Sequence, residues 1–220
     1  MPTKKKLERK PFRRSGRPSH AVISRSEVIT AAIAQIDKVG LEKFSLRQLA
    51  SRLGVSGPAL YYHFANRDEL LRKVVATLAA QMKAPRDQLT WQGYVMQNAT
   101  IYRDVLLSHP NLISLFAARP WSDVDLNVVE KALQQMEDNG VPADLGLLIF
   151  RASEVLAVGS AMLNDHLDTS VYGDVGPEYP ALRAAIAADT LDSEQTFQAL
   201  GLALITGLTA SALSRSSAAR

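Results

Sequence analysis

The chain has no cysteine, two tryptophans and four histidines in 220 residues. Without thiols it has neither a disulfide framework nor a thiolate metal site. His20, His63, His109 and His166 are scattered, without the close spacing of a metal-ligating set. P-loop, G-x-G-x-x-G, H-E-x-x-H and G-x-S-x-G patterns are all missing. No stretch alternates strictly between apolar and polar residues, so no strands are expected. The start of the chain is charged rather than apolar, unlike a secretory leader. One long uncharged run, residues 196–214, carries Gln198, Thr206, Thr209, Ser211 and two glycines, which fits a buried helix better than a membrane span. Neither a catalytic centre, a cofactor, a metal nor a membrane partner is therefore expected, and the cytoplasm is the expected compartment.

Charge is present but unevenly placed. Residues 1–17 hold eight basic side chains against Glu8, a net of +7 in a chain of +3. Residues 1–73 carry +10 and the remainder −7. A basic front end on an acidic body suits a polyanion bound at one end. The first twenty residues read as a flexible basic arm that lies along phosphates or enters a minor groove, with Arg14 and Arg17 as candidate contacts. A solubilising tail, a purification remnant and a membrane-surface tether are other readings of that run.

Residues 46–67, LRQLASRLGVSGPALYYHFANR, read as two short helices around a tight turn. Leu46, Leu49 and Leu53 form one apolar face, and Ala50 beside it allows close crossing. Gly54 falls where the chain must leave the first helix through a left-handed conformation. Ser56 caps the second helix and Pro58 sits in its first turn. Leu60 and Phe64 point inward, which leaves Pro58, Ala59, Tyr61 and Tyr62 outward. That is the layout of a helix-turn-helix DNA reader. Its candidate contacts are Arg47, Ser56, Gly57, Pro58, Ala59, Tyr61, Tyr62, His63 and Arg67. The same spacing also suits an αα-corner in a helical enzyme.

An amphipathic helix over 24–39 precedes the reader, and one over 67–82 follows it. Further helices are expected near 90–107, 111–118, 122–138, 142–165, 180–189 and 193–213, with a polar loop at 166–179. The helices near 142–165 and 193–213 mix small residues with leucines and leave few polar faces. They are expected to form a four-helix interface in a homodimer. Trp91, Tyr94, Asn98, Tyr102, Phe116, Trp121 and Phe150 are either core or the lining of a ligand site. Asn98 stands out because an amide in an amphipathic run needs a partner.

The N-terminal third resembles the DNA-binding domain of the tetracycline-repressor family of bacterial transcription regulators. The matching residues are Ile29–Ile33, Gly40, Ser45–Arg47, Leu49–Ala50, Leu53–Ser56, Ala59–Tyr61, His63–Phe64 and Leu70–Leu71. Thr90–Gln92, Asn98–Ala99, Leu106–His109, Arg119–Pro120 and the helix end Leu133 to Gly140 are similar to the family's tetracycline-binding branch. The resemblance implies an all-α dimer of nine or ten helices per chain. A three-helix helix-turn-helix domain (21–66) is joined by a helix to a C-terminal ligand-binding and dimerisation domain (67–215). It further implies a nucleoid-associated bacterial regulator, a palindromic operator, and a small organic inducer held inside the body. Leu115 and Arg119 join the candidate lining through this resemblance. Where that branch places metal-linked polar groups this chain has Leu115, Ala118, Ala132 and a position near Asn164, and its pocket His falls near Lys83. Mg²⁺ needs hard oxygen or imidazole partners, so the expected inducer needs no metal. A helical enzyme and a ligand-independent architectural DNA-binding protein are the rival readings.

Overall fold

The computed structural model describes residues 23–81, 90–117, 126–167 and 169–218, without the side chains of 128 and 211–218. Among the described residues the chain is all-helical. The helices are α1 (Arg25–Val39), α2 (Leu46–Arg52), α3 (Gly57–His63), α4 (Arg67–Ala79) and α5 (Trp91–Ser108). They continue with α6 (Ile113–Ala117), α7 (Leu126–Asp138), α8 (Ala143–Met162), α9 (Pro180–Ala188) and α10 (Ser193–Ala218). Short 3₁₀ turns occupy Pro110–Leu112, Asn164–His166 and Thr169–Tyr172.

Local chemistry sets the first four helices. Ser24 opens α1 with a reciprocal capping box: its side chain accepts from the Glu27 amide at 3.2 Å, and Glu27 accepts from the Ser24 amide at 2.7 Å. Gly40 ends the helix at φ +83°. Ser45, Ser56 and Asn66 cap α2, α3 and α4 in turn, each accepting from the amide three residues on. Gly54 turns the chain between α2 and α3 at φ +66°, where a β-carbon would be strained.

Two apolar clusters hold the fold. The first gathers Val28, Ala32, Ile36, Leu49, Leu60, Phe64, Leu70, Val74 and Leu78 from α1–α4. It runs on without a break into Leu106, Leu112, Ile113 and Phe116 of α5, the following turn and α6. The second joins Tyr94 and Val95 of α5 to Met136, Val141, Leu145, Ile149 and Ile205. Helix α5 packs chiefly on α8, and α7 and α10 pack on both. Gly201 is a genuine close approach, since an added β-carbon there would overlap the Met96 sulfur; at Gly159 and Gly207 it would meet nothing within 4 Å.

Several boundaries depart from the expected ones. Helix α8 stops at Met162 rather than 165, because Asn164 is drawn into another network. Its side chain accepts from Arg103 Nη2 at 2.9 Å and its carbonyl accepts from Ser193 Oγ at 2.8 Å. Helix α4 stops at Ala79, and the 111–118 segment begins as a 3₁₀ turn at Pro110 before becoming α6. Helix α10 runs on to Ala218. Residues 122–125 lie outside the described residues. Among the described residues the helix long and apolar enough to cross a membrane is α8, not the uncharged stretch within α10. About two fifths of it is buried in the fold, against α5, α7 and α10.

Arg103 is the buried pin of the body. It is 3 % exposed, its guanidinium pairs with Glu194 and lies 4.9 Å over the Phe197 ring. It thereby ties α5 to the end of α8 and the start of α10. Removing Glu194 leaves a buried cation short of its counter-charge. Because Glu194 is half exposed, Glu194→Ala is expected to cost about 1.5 kcal/mol, the low end for a hydrogen bond to a charged group. Urea unfolding checks this; an unchanged midpoint would show that the pair contributes nothing.

Candidate nucleic-acid interface and its link to the helical body

The reader is α3, and its side chains divide as the periodicity dictates. Leu60 and Phe64 are fully buried, while Tyr61 is 54 % and Tyr62 87 % exposed. Pro58 and Ser56 are exposed, and Gly57, Ala59 and His63 are half-buried. The Tyr62 and His63 rings meet edge to face at 5.5 Å. Arg47 is exposed in the first turn of α2. A half-open apolar cavity of about 300 Å³ lies between α2 and α3, lined by Leu46, Arg47, Val55, Gly57, Leu60 and Tyr61 among others. Arg47 and Tyr61 thus line one opening, and Pro58 and Tyr62 are exposed on the same short helix as Tyr61. Arg67 faces partly elsewhere: its Nη2 donates to the Leu41 carbonyl at 3.0 Å, and its guanidinium lies 5.7 Å over Phe44. It fastens α4 to the α1–α2 turn. Arg14 and Arg17 lie outside the described residues.

Sequence reasoning missed the clamp that holds the end of α3. Arg25 lies 4.9 Å over the Phe64 ring and pairs with Glu69 at 2.7 Å. The other Glu69 oxygen accepts from the Ala65 amide at 2.7 Å. Asn66 with Glu69 three residues on is a capping pattern visible in sequence; nothing in sequence announces Arg25. The Ala65 amide foremost, with Arg25 helping, holds the Glu69 carboxyl below the usual carboxylate range.

A second missed contact joins reader domain and body. His109, at the end of α5, shares a 2.8 Å hydrogen bond between its Nδ1 and Asp37 Oδ2 on α1. Asn111 Nδ2 donates to the Asp37 carbonyl, also at 2.8 Å. The other Asp37 carboxylate oxygen is buried without a hydrogen-bond partner. Helix α6 lies against α4 beside this joint. Met82 and Lys83, just beyond α4, lie outside the described residues.

The expected ligand lining falls into two groups. Trp91, Tyr94 and Phe150 pack in the second apolar cluster, and Tyr102, Leu115 and Phe116 in or against the first. Asn98 lies between them on α5, one turn from both Tyr94 and Tyr102, and is half-buried. Its amide donates to the Tyr94 carbonyl at 3.0 Å. Burial pushes the Tyr94 hydroxyl up, opposed by a hydrogen bond from Asn98 and reinforced by Asp138. Tyr102 meets Phe116 edge to face at 6.0 Å and donates to Glu154 Oε1 of α8 at 3.5 Å. Arg119 and Trp121 lie outside the described residues. Leu115 offers no donor for a cation, and among the described residues no three His, Asp or Glu side chains gather around a common point.

An exposed aromatic helix on a basic front end, sharing a core with a large helical body, is the layout of a DNA-binding transcription regulator. The family model described as bacterial regulatory proteins, tetR family, matches residues 28–74. The model for the tetracyclin repressor-like C-terminal domain matches residues 84–211. The chain belongs to the tetracycline-repressor (TetR) family. It is 30% identical over 188 residues to the tetracycline repressor protein class A from transposon 1721 of Escherichia coli, covering 81% of this chain and 86% of that protein. Among solved structures it is similar to a TetR transcriptional regulator of Streptomyces coelicolor, with TM-score 0.68 and 27% identity over 86% of this chain and 98% of that one. TetR from Acinetobacter baumannii AYE matches with TM-score 0.65 and 25% identity over 85% and 97%.

The clamp gives a pH prediction. The folded Glu69 carboxyl titrates below its ordinary value of 4.5. Its stabilisation is therefore complete above that value and is lost as pH falls through the lowered one. Glu69→Gln should lower the Tm at neutral pH, with the deficit shrinking as pH drops below about 4.5. A deficit that stays constant from neutral to acid would contradict the assignment.

Proposed function

We propose that this protein is a homodimeric repressor that leaves a palindromic operator when a small organic inducer enters its C-terminal body. The observation that carries the proposal is the exposed Tyr61–Tyr62 face of α3 beside Arg47, on a front end of net charge +10. Tyr61, Tyr62 and His63 position the helix on phosphates and touch base edges, and Arg47 reaches a guanine or a phosphate. The protein acts in the cytoplasm, at the nucleoid.

The apolar outer faces of α8 and α10 support the dimer. Leu147, Leu148, Val155 and Met162 on α8, and Leu200 and Leu202 on α10, are exposed in the single chain. Two such helices from each subunit form a four-helix interface that covers them. A two-fold axis then sets the two reader helices about one DNA turn apart, roughly 34–36 Å, for successive major grooves.

The inducer binds between α5, α7 and α8, around Asn98, with Trp91, Tyr94, Tyr102, Leu115, Phe116, Arg119, Trp121 and Phe150 as its lining. Asn98 already spends its amide N–H on the Tyr94 carbonyl, and its oxygen is the polar handle for the ligand. The Escherichia coli relative is named a tetracycline repressor. Here Leu115 supplies no metal ligand, so the inducer is an aromatic or apolar compound that needs no cation. Its entry displaces α6, which lies on α4, and the displacement alters the spacing of the two readers. A ligand shifts this equilibrium only by its differential affinity for the two arrangements.

Selection from random duplexes should return a two-fold symmetric site, and Arg47→Ala should weaken binding to it by about 1–3 kcal/mol. Recovery of asymmetric or random sequence would refute the proposal. Once a metabolite panel gives an inducer, Asn98→Ala should weaken its effect while operator affinity without ligand stays within about twofold. Equal loss of operator affinity in that variant, or induction that strictly requires Mg²⁺, would contradict the ligand site.

A further inference from the structure

We infer that Asp37 is a positioning residue that fixes the angle between the reader domain and the body, and with it the half-site spacing the dimer accepts. The inference rests on the dimeric operator-binding reading proposed above and names the residue that sets its spacing. Two hydrogen bonds cross from α1 to the body at this one residue. The Asp37 carboxylate meets His109 Nδ1, and its carbonyl accepts from Asn111 Nδ2, each at 2.8 Å. His109 and Asn111 flank Pro110, whose ring restricts its φ. The Leu112 amide closes that turn on the His109 carbonyl at 2.9 Å. Asp37 is thus bonded, through side chain and main chain, to both sides of a stiff turn.

Helix α1 itself gives no reason for a carboxylate at this position. Asp37 lies in the last turn of α1, where the helix dipole disfavours negative charge. Its second oxygen, Oδ1, is buried without a hydrogen-bond partner, which opposes folding further. Both local costs are borne by a side chain whose described partner lies across the joint, on the body.

The apolar part of the joint does not set an angle. The reader helices share one core with Leu106, Leu112, Ile113 and Phe116, but burial of apolar surface is non-directional. Hydrogen bonds weaken steeply once misaligned. A small rotation of the reader domain therefore keeps most of the apolar contact and breaks the Asp37 bonds first. One base pair added at the operator centre moves the half-sites apart by about 3.4 Å and turns them by about 35°. The dimer follows that displacement only by opening a joint, so breaking the Asp37 bonds is part of the penalty for wrong spacing.

The test uses the full-length protein, the symmetric site recovered by selection, and the same site with one extra central base pair. The intact protein should prefer the selected spacing. Asp37→Ala should bind the selected spacing within about twofold of the intact protein, because the bond it removes is present in both the free and the bound protein. Its preference over the lengthened site should shrink by about tenfold, the low end for a hydrogen bond to a charged group. The low end applies because the Asp37 and His109 side chains are 30 % and 21 % exposed. His109→Ala should show the same narrowing, and the double variant no more than either alone, since both remove one bond. Lys38→Ala, exposed beside Asp37, should leave the preference as it is. A purely structural role would instead lower the Tm and weaken both sites equally. That equal loss, an unchanged preference in Asp37→Ala and His109→Ala, or indifference of the intact protein to the added base pair would overturn the inference and leave operator binding in place. If Asp37→Ala does not fold, the result with His109→Ala decides. A selection that returns no symmetric site would overturn both readings.

Discussion

A seven-residue helix cannot hold its own shape in water, and α3 has seven residues. Everything that makes it a reader therefore depends on what anchors its inner face. Leu60 and Phe64 are the anchors, both buried to within about one per cent. Phe64 is held from outside by Arg25 over its ring, and Arg25 is held by Glu69, which also takes the amide just past the helix. With its inner face fixed in this way, α3 can present two exposed tyrosines without losing its place. Truncating such a buried aromatic costs about 3–5 kcal/mol in general, a large share of the stability of a domain this small.

The same core explains how the body can influence the reader. The cluster that holds Phe64 continues into Leu106, Leu112, Ile113 and Phe116, so the end of α5, the turn after it and the inner face of α6 share one core with the DNA-binding helices. Across that apolar contact run two polar links from a single residue, Asp37, one through its carboxylate to His109 and one through its carbonyl to Asn111. Displacing α6 disturbs apolar packing and these directional bonds together. Close-packed joints of this kind shift between discrete arrangements rather than deforming smoothly.

Much of this was legible in the sequence. The caps at Ser45, Ser56 and Asn66, the stops at Gly40 and Gly54, and the inward pair Leu60 and Phe64 all follow from local rules that need no tertiary knowledge. What stayed hidden depends on residues far apart in the chain. Arg25 meets Glu69, Asp37 meets His109, and Arg103 meets Asn164 and Glu194 only once the helices have packed. The end of α8 is hidden for the same reason, since the Arg103 network takes Asn164 out of the helix. The candidate aromatic lining spans two packed clusters, Trp91, Tyr94 and Phe150 in one and Tyr102 and Phe116 in the other, with Asn98 between them on α5. Periodicity places a residue on a face but does not say which neighbour that face meets.

The central claim is that two copies of this chain, joined through α8 and α10, place two reader helices on one duplex. The mass of the protein–operator complex, measured by sedimentation equilibrium at saturation, tests it most directly. The account predicts a dimer before DNA is added and chains bound in multiples of two, with two per duplex in the smallest complex. A duplex saturated by one chain would contradict it.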